Sequence, residues 1–307
     1  MRITNHMMTY NYLSSLNKSL ERQNSLTEKL SDGLEIHRPS DDPVKVVRSL
    51  KFHSSLNAND QYIQNAKDAQ SWMTMSDNSM QDLSSIMTEI KGKVVEASNS
   101  NPQDALQAIG ASVDNMINQM VNIGNTKIGE RYIFAGQNDQ TAPFVRNGDV
   151  ITYSGDDTKI SMPIQPGVAT PTQDSINLTG QEVFGAADPV TGTPKILQDL
   201  IDIKNHLMSG TTGDQKWLSD TGLDNLAKDQ SQMLQSHTAL GTRMATYNMA
   251  QDMLDGNNTI ISQQVAGNEG LDVPKAITDY KTNESVYKMA LQIGANILPL
   301  SLADFLK

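Results

Sequence analysis

The chain has 307 residues and a formal net charge of −11, with an isoelectric point near 4.8, which argues against nucleic acid or an anionic membrane as a partner. It contains no cysteine, so disulfides, thiolate metal sites and thiol nucleophiles are excluded. Aromatic residues are only 5% of the chain while there are 16 methionine residues, unlike an ordinary enzyme core, and the length leaves room for two or three domains.

The opening "MRITNHMMTYNYLSSLNKSL" reads as an amphipathic helix with an apolar stripe of Ile3, Met7, Tyr10, Leu13, Leu16 and Leu20, continued by Leu30 and Leu34. It lacks the continuous apolar region and small-residue cleavage site of a secretory leader. No window approaches the roughly 18 apolar residues that span a bilayer. The chain is therefore expected to be soluble and, if it leaves the cell, to use a route other than a cleaved signal. "SDGLEIHRPSDDPV" (Ser31–Val44) then breaks the helical pattern. Gly33 supplies a helix stop, Pro43 suits a first helical position, and Asp42 is placed to cap the helix that follows. Asp41 and Asp42 also put negative charge near the positive end of that helix.

A strict three-four alternation runs from Tyr62 through Ala66, Ala69, Met73, Ser76, Met80, Leu83, Met87, Ile90 and Val94 to Ala97, the pattern of a coiled-coil seam. Asn101 and Pro102 restart the helix, with Asn101 as cap, and a second seam follows at Leu106, Ile109, Val113, Met116, Met120 and Ile123. The short connection implies an antiparallel hairpin. From Arg131 to about Lys195 the character changes to β-branched residues with Gly and Pro punctuation. Ile151 and Tyr153, then Ile160, Met162 and Ile164 across "SGDD", are expected to form a β-hairpin, and "PGVATPTQ" shares the β character. "ILQDLIDIKNHLM" is a short helix and "SGTTGDQ" a loop.

A third seam runs from Leu223 and Leu226 through Gln230, Met233, His237, Leu240, Met244, Tyr247, Gln251, Leu254, Asn258 and Ile261 to Val265. Its polar members weaken packing but fix register, and the methionines read as core filler. The last helix offers one stripe at Val286, Ala290, Ile293, Ile297 and Leu300, and another at Ile277, Tyr280, Tyr287 and Leu291. Two stripes exceed what one partner helix covers, which marks the terminus as an assembly surface. Pro299 should stop or kink this helix. The fold class is therefore mainly α, a long antiparallel coiled-coil bundle with a small β-rich insertion between its helical halves.

The five histidines never fall in metal-binding spacing, and no nucleotide-binding or nucleophile motif occurs. "SGDDTK" lacks the acidic spacing of a calcium loop and reads as a turn. No catalytic, cofactor or metal residue is assigned, and no enzymatic activity is expected.

Three stretches carry a resemblance along the whole chain: "MRIT…MM" with "LSDGLEIHRPSDDP" (Leu30–Pro43), "GERYIFAGQNDQTAPF" (Gly129–Phe144) and "ILPLSLADFL" (Ile297–Leu306). The first resembles the N-terminal signature of the flagellin superfamily of bacterial flagellar axial proteins. The other two are similar to the hook-associated protein 3 branch of that superfamily. The resemblance implies terminal helices at 1–34 and 273–307 that pair as an inner coiled coil and order on assembly, a helical rod at 35–136 and 196–272, and an outward insertion at 137–195. It implies an assembly interface of Ile3, Met7, Tyr10, Leu13, Leu16, Leu20, Val286, Ile293, Ile297, Leu300, Leu302 and Phe305. A joint between layers would lie at Gly33, Arg38, Pro39, Ser40, Asp41, Asp42 and Pro43. The implied partners are further copies of the chain, hook-associated protein 1, flagellin and a flagellar export chaperone, on an extracellular flagellum. A filament-forming flagellin and a coiled-coil type III effector or needle-tip protein are the alternatives.

Overall fold

The structure, a computed structural model, describes residues 5–99, 102–164 and 175–297. The helices in chain order are α1 (Asn5–Asp32), α2 (Pro43–Ser98), α3 (Gln103–Gly124), α4 (Gly180–Phe184), α5 (Lys195–Ser209), α6 (Thr212–Trp217), α7 (Leu223–Glu269) and α8 (Val273–Ile297). A π-helical turn, Leu218–Gly222, links α6 to α7. Four short strands, β1 (Lys127–Ile128), β2 (Arg131–Tyr132), β3 (Phe144–Asn147) and β4 (Val150–Tyr153), form two antiparallel pairs. The chain is thus mainly α, a long helical bundle with a small β-containing insertion. It divides into two compact units, one from the two ends of the chain (up to Asn59 and from Asn257 on), the other Asp60–Gly256.

In the Asp60–Gly256 unit the seams are the core. From Ala66 to Ala97 every seam position of α2 is buried, and so are Leu106, Ile109, Val113, Met116 and Met120 of α3. Leu226, Met233, Leu240 and Tyr247 of α7 join the same cluster. Each large side chain buried this way contributes about 1.5–3 kcal/mol. Met73, Met80, Met87 and Met120 are at most 1% exposed, so in the seams methionine is indeed core filler. Polar residues at and beside the seams set the antiparallel register of α2 and α7: Gln70 Nε2 donates to Asn248 Oδ1 at 2.5 Å, the seam residue His237 has its Nε2 2.7 Å from Asp77 Oδ1, and the seam residue Gln230 donates from Nε2 to Thr88 Oγ1 at 3.3 Å. The closest backbone approach of α3 is to α5. Gly110 permits it, since a Cβ there would stand 3.0 Å from Met208 Sδ and 3.3 Å from Leu207 Cβ.

Several local expectations differ from what forms. The β-hairpin is β3–β4, with Phe144 opposite Tyr153 and Asn147 opposite Val150, so the turn is Gly148–Asp149 rather than "SGDD". Gly148 supplies the positive φ of +65° that this two-residue connection requires. The Asp156 carboxylate instead accepts from the N–H groups of Gln137 and Thr158, and the Asp156 N–H donates to Ala135 O. That bonding fastens the segment to the preceding "FAG" turn and leaves no hairpin there. Ile164 is nonetheless buried, and the extended segment gives Met162 O to the Tyr247 hydroxyl. "SGTTGDQ" is not all loop, because a capping box between Thr211 and Asp214 starts α6. A second capping box, Thr179 with Glu182, starts α4 inside the insertion. Pro102 occupies the N-cap position of α3, while Asn101, Pro299 and the whole of "PGVATPTQ" lie outside the described residues.

The "GERYIFAGQNDQTAPF" stretch anchors the insertion. Ile133 and Phe134 are fully buried. The Asn125 side chain clasps the Phe144 backbone on both sides, donating to its carbonyl at 2.8 Å and accepting from its N–H at 3.0 Å. Phe144 packs edge-on against Phe184 with ring centroids 4.9 Å apart. The Tyr153 hydroxyl donates to Phe134 O and accepts from Gly180 N–H, and burial pushes its pKa up to about 12.

Candidate assembly surface and joint

α1 and α8 form an antiparallel pair whose shared face is largely polar. The Tyr12 hydroxyl donates to Ala290 O at 2.9 Å. Ser19 and Asn283 exchange two bonds, Ser19 Oγ to Asn283 Oδ1 at 3.1 Å and Asn283 Nδ2 to Ser19 O at 2.9 Å. Gln23 Nε2 donates to the Tyr280 hydroxyl at 3.4 Å. On α1 the inward positions are Tyr12, Leu16, Ser19, Gln23 and Leu26; on α8 they are Ala276, Tyr280, Asn283, Tyr287, Ala290 and Gly294. Both sets step by three and four. Gly294 is required where it stands, because a Cβ there would lie 2.0 Å from the Tyr12 hydroxyl.

Most of the larger apolar residues of the pair point elsewhere. Met7, Tyr10, Leu13 and Leu20 are exposed on α1, Tyr10 by 75%, while Leu16 is half-buried. Val286 and Ile293 are about half exposed on α8, as are Ile277, Met289 and Leu291. The two stripes expected on the last helix are therefore divided differently: Tyr280, Tyr287 and Ala290 face α1, and Ile277, Val286, Leu291 and Ile293 remain uncovered. Ile297 ends α8; Ile3, Leu300, Leu302 and Phe305 lie outside the described residues. Between the helices Leu26 and Val286 line a groove of about 480 Å³, flanked by Arg22, Lys29 and Asp279.

The joint follows directly from α1. Gly33 has φ +75° and donates its N–H to Lys29 O at 3.0 Å, the left-handed stop expected of it. Pro43 opens α2, and Asp42 Oδ1 accepts from the N–H groups of Val44 and Lys45, both at 3.0 Å. Asp41 has a different role from a helix-end charge. Its carboxylate accepts from the N–H groups of His37 at 3.1 Å and Arg38 at 3.0 Å, which closes the turn around Pro39 and Ser40 and holds the Asp41 pKa below the usual carboxylate range. Asp32 is lowered likewise, first by the Leu34 N–H and then by His37. Arg38 is exposed, with Glu28 3.9 Å away.

A second partner of the joint was invisible to spacing arguments. Leu34 bridges Gly270 in an antiparallel contact: Glu35 N–H donates to Glu269 O at 2.7 Å, and Leu271 N–H to Gly33 O at 2.9 Å. Glu269 also receives Ser49 Oγ and lies 2.8 Å from His53 Nε2, while Asn268 Nδ2 donates to Lys45 O at 3.0 Å. The turn between α7 and α8 is thus laced to the joint, and Asp272 caps α8 through Lys275 N–H. Among the described residues no group of three or more His, Asp or Glu is placed to hold a metal ion, and no helix is long and apolar enough to cross a membrane.

Residues 3–139 match the bacterial flagellin N-terminal helical region. Flagellar hook-associated protein 3 of Escherichia coli K12 is 27% identical over 146 residues, 47% of this chain and 46% of that protein, so the chain spans about half the length of this relative in the match. The crystal structure of Bacillus cereus FlgL has a TM-score of 0.58 at 23% identity, covering 70% of this chain and 99% of that one. The flagellar junction protein FlgL of Legionella pneumophila has a TM-score of 0.58 at 14% identity, covering 72% and 99%. Over residues 3–139 the chain is thus similar in sequence to the N-terminal helical region of bacterial flagellins, and its fold is similar to that of the FlgL structures.

Proposed function

We propose that the chain is a structural, non-catalytic subunit of the bacterial flagellum that joins the hook to the flagellin filament. The observation that carries this reading is the α1–α8 pair, which spends its in-chain face on polar contacts and leaves Met7, Tyr10, Leu13, Leu20, Val286 and Ile293 uncovered. Covering each half-exposed side chain with a neighbour is worth about 1 kcal/mol, so one copy gains several kcal/mol by associating. The names of the E. coli and L. pneumophila relatives, a hook-associated protein and a flagellar junction protein, support the same assignment.

On this reading the segments 1–34 and 273–307 carry the interface, with Ile3, Ile297, Leu300, Leu302 and Phe305 extending it. Residues 35–136 and 196–272 form the rod, and 137–195 the outer insertion. The joint from Gly33 through Arg38, Pro39, Ser40, Asp41 and Asp42 to Pro43 fixes how α1 departs from α2. The partners are further copies of the chain, hook-associated protein 1 on the hook side, flagellin on the filament side, and an export chaperone that covers the C-terminal helix before assembly. The test is deletion of the gene in flagellated cells. Hooks without filaments, flagellin in the medium, and rescue by the full chain are expected. Filaments of normal length on the deletion strain would overturn the proposal.

A further inference from the structure

With no cysteine in the chain, methionine is its only sulfur, and the methionines differ widely in exposure. Met73, Met80, Met87 and Met120 are at most 1% exposed in the core of the Asp60–Gly256 unit, whereas Met7, Met8 and Met289 are 57%, 45% and 51% exposed on the α1–α8 pair. The register of that pair, Tyr12 with Ala290 and Ser19 with Asn283, sets Met289 level with Leu13 and Met8 level with Gly294. At 1.5 Å per residue the backbone positions of all three methionines therefore lie within about 9 Å along the axis. They sit at the end of the pair remote from Gly33, among the uncovered apolar side chains Tyr10, Leu13 and Ile293.

We propose that Met7, Met8 and Met289 form an oxidant-reactive modification site, and that their conversion to sulfoxide by a peroxide-class oxidant blocks self-association while the helical core stays folded. The inference rests on the assembly reading of the α1–α8 surface. The chemistry is a two-electron transfer: a thioether lone pair attacks one peroxide oxygen, the O–O bond breaks, a new S–O bond forms, and the displaced oxygen leaves as water. Sulfur is oxidised, peroxide is reduced, and a sulfoxide reductase reverses the change. A flexible apolar side chain thereby becomes a polar one. Covering it in an interface then leaves a strong hydrogen-bond acceptor to be satisfied. Assembly in turn buries the sulfurs, so the reactive window is confined to the unassembled chain.

The test exposes the full chain briefly to hydrogen peroxide and maps sulfoxide by tandem mass spectrometry, alongside sedimentation and tryptophan fluorescence. Sulfoxide is expected at Met7, Met8 and Met289, and also at the exposed Met208, Met249 and Met253, but not at Met73, Met80, Met87 or Met120. Self-association should fall tenfold or more, with the fluorescence melt unchanged. For each variant the readout is the ratio of treated to untreated association. M7L/M8L/M289L should show a ratio near one, and M208L/M249L/M253L should lose association as the native chain does. Equal peroxide sensitivity of the two triple variants, or protection of Met7, Met8 and Met289, would overturn the proposal alone. An untreated native chain that never self-associates would overturn the assembly reading together with it.

Discussion

Asp229 of α7 and Asp199 of α5 are both buried, at 3% and 8% exposure. Asp199 pairs with Lys195, whereas Asp229 Oδ2 is enclosed without a hydrogen-bond partner. Burial, and next the charge of Asp199, push the Asp229 carboxyl up to about 7 from its ordinary 3.8. The folded chain therefore keeps a proton that the unfolded chain has released. Its stability must fall as pH rises between these values, and the full cost is present above about 7. At 1.36 kcal/mol per tenfold change this cost comes to a little over ~4 kcal/mol, and relaxation and water access reduce it to on the order of 2–3 kcal/mol. Asp229→Asn keeps the shape, removes the charge and supplies N–H donors to Asp199. Both tryptophans, Trp72 and Trp217, lie in the Asp60–Gly256 unit, so fluorescence-detected urea unfolding reports that unit by itself. The native midpoint should drop between about pH 5 and about pH 8. D229N should cancel that drop and be more stable than the native chain at the higher pH by about 2 kcal/mol. Parallel pH profiles for the two proteins would show that Asp229 holds no such proton.

Asn283→Ala removes both bonds to Ser19 and should weaken α1–α8 pairing by about 1–2 kcal/mol; hydrogen exchange along α1 should accelerate while the tryptophan signal is unmoved. Asp42→Ala should cost about 1 kcal/mol at the start of α2, read as faster exchange of the Val44 and Lys45 amides. Asp41→Ala should loosen the turn at His37 and Arg38 without that effect. Because Asp32 and Asp41 are both held low, the joint should keep its order through the ordinary carboxylate range. It should lose that order only as pH falls below about 3.8 toward the lowered values, and exchange measured there would show it. Truncation of Leu300–Lys307 should abolish incorporation into flagella and leave the tryptophan-detected melt of the chain unchanged.

The seams were legible in the sequence because burial there depends only on which residues recur every three or four positions. α2, α3 and α7 were therefore placed with the residues they bury. The helix stop at Gly33 and the Asp42 cap were legible because both are local, set within four residues. The position of the β3–β4 hairpin is not legible locally, because "SGDD" resembles a turn as much as Asn147–Gly148 does, and only the bonds of Asp156 to Gln137 and Ala135 in the preceding segment decide between them. The α1–α8 face was hidden for a different reason. Tyr12, Ser19, Gln23 and Asn283 follow the helical spacing, but a search for apolar stripes skips them and counts Val286 and Ile293 instead. The Glu269–Glu35 bridge joins residues more than two hundred positions apart, and nothing in local spacing encodes it.

Immunogold electron microscopy of intact flagella, with antibody raised to residues 137–175, tests the junction role most directly. A single narrow band between hook and filament is the predicted result. Label along the whole filament would make the chain a filament subunit, and unlabelled flagella with the protein free in the medium would contradict any structural role there.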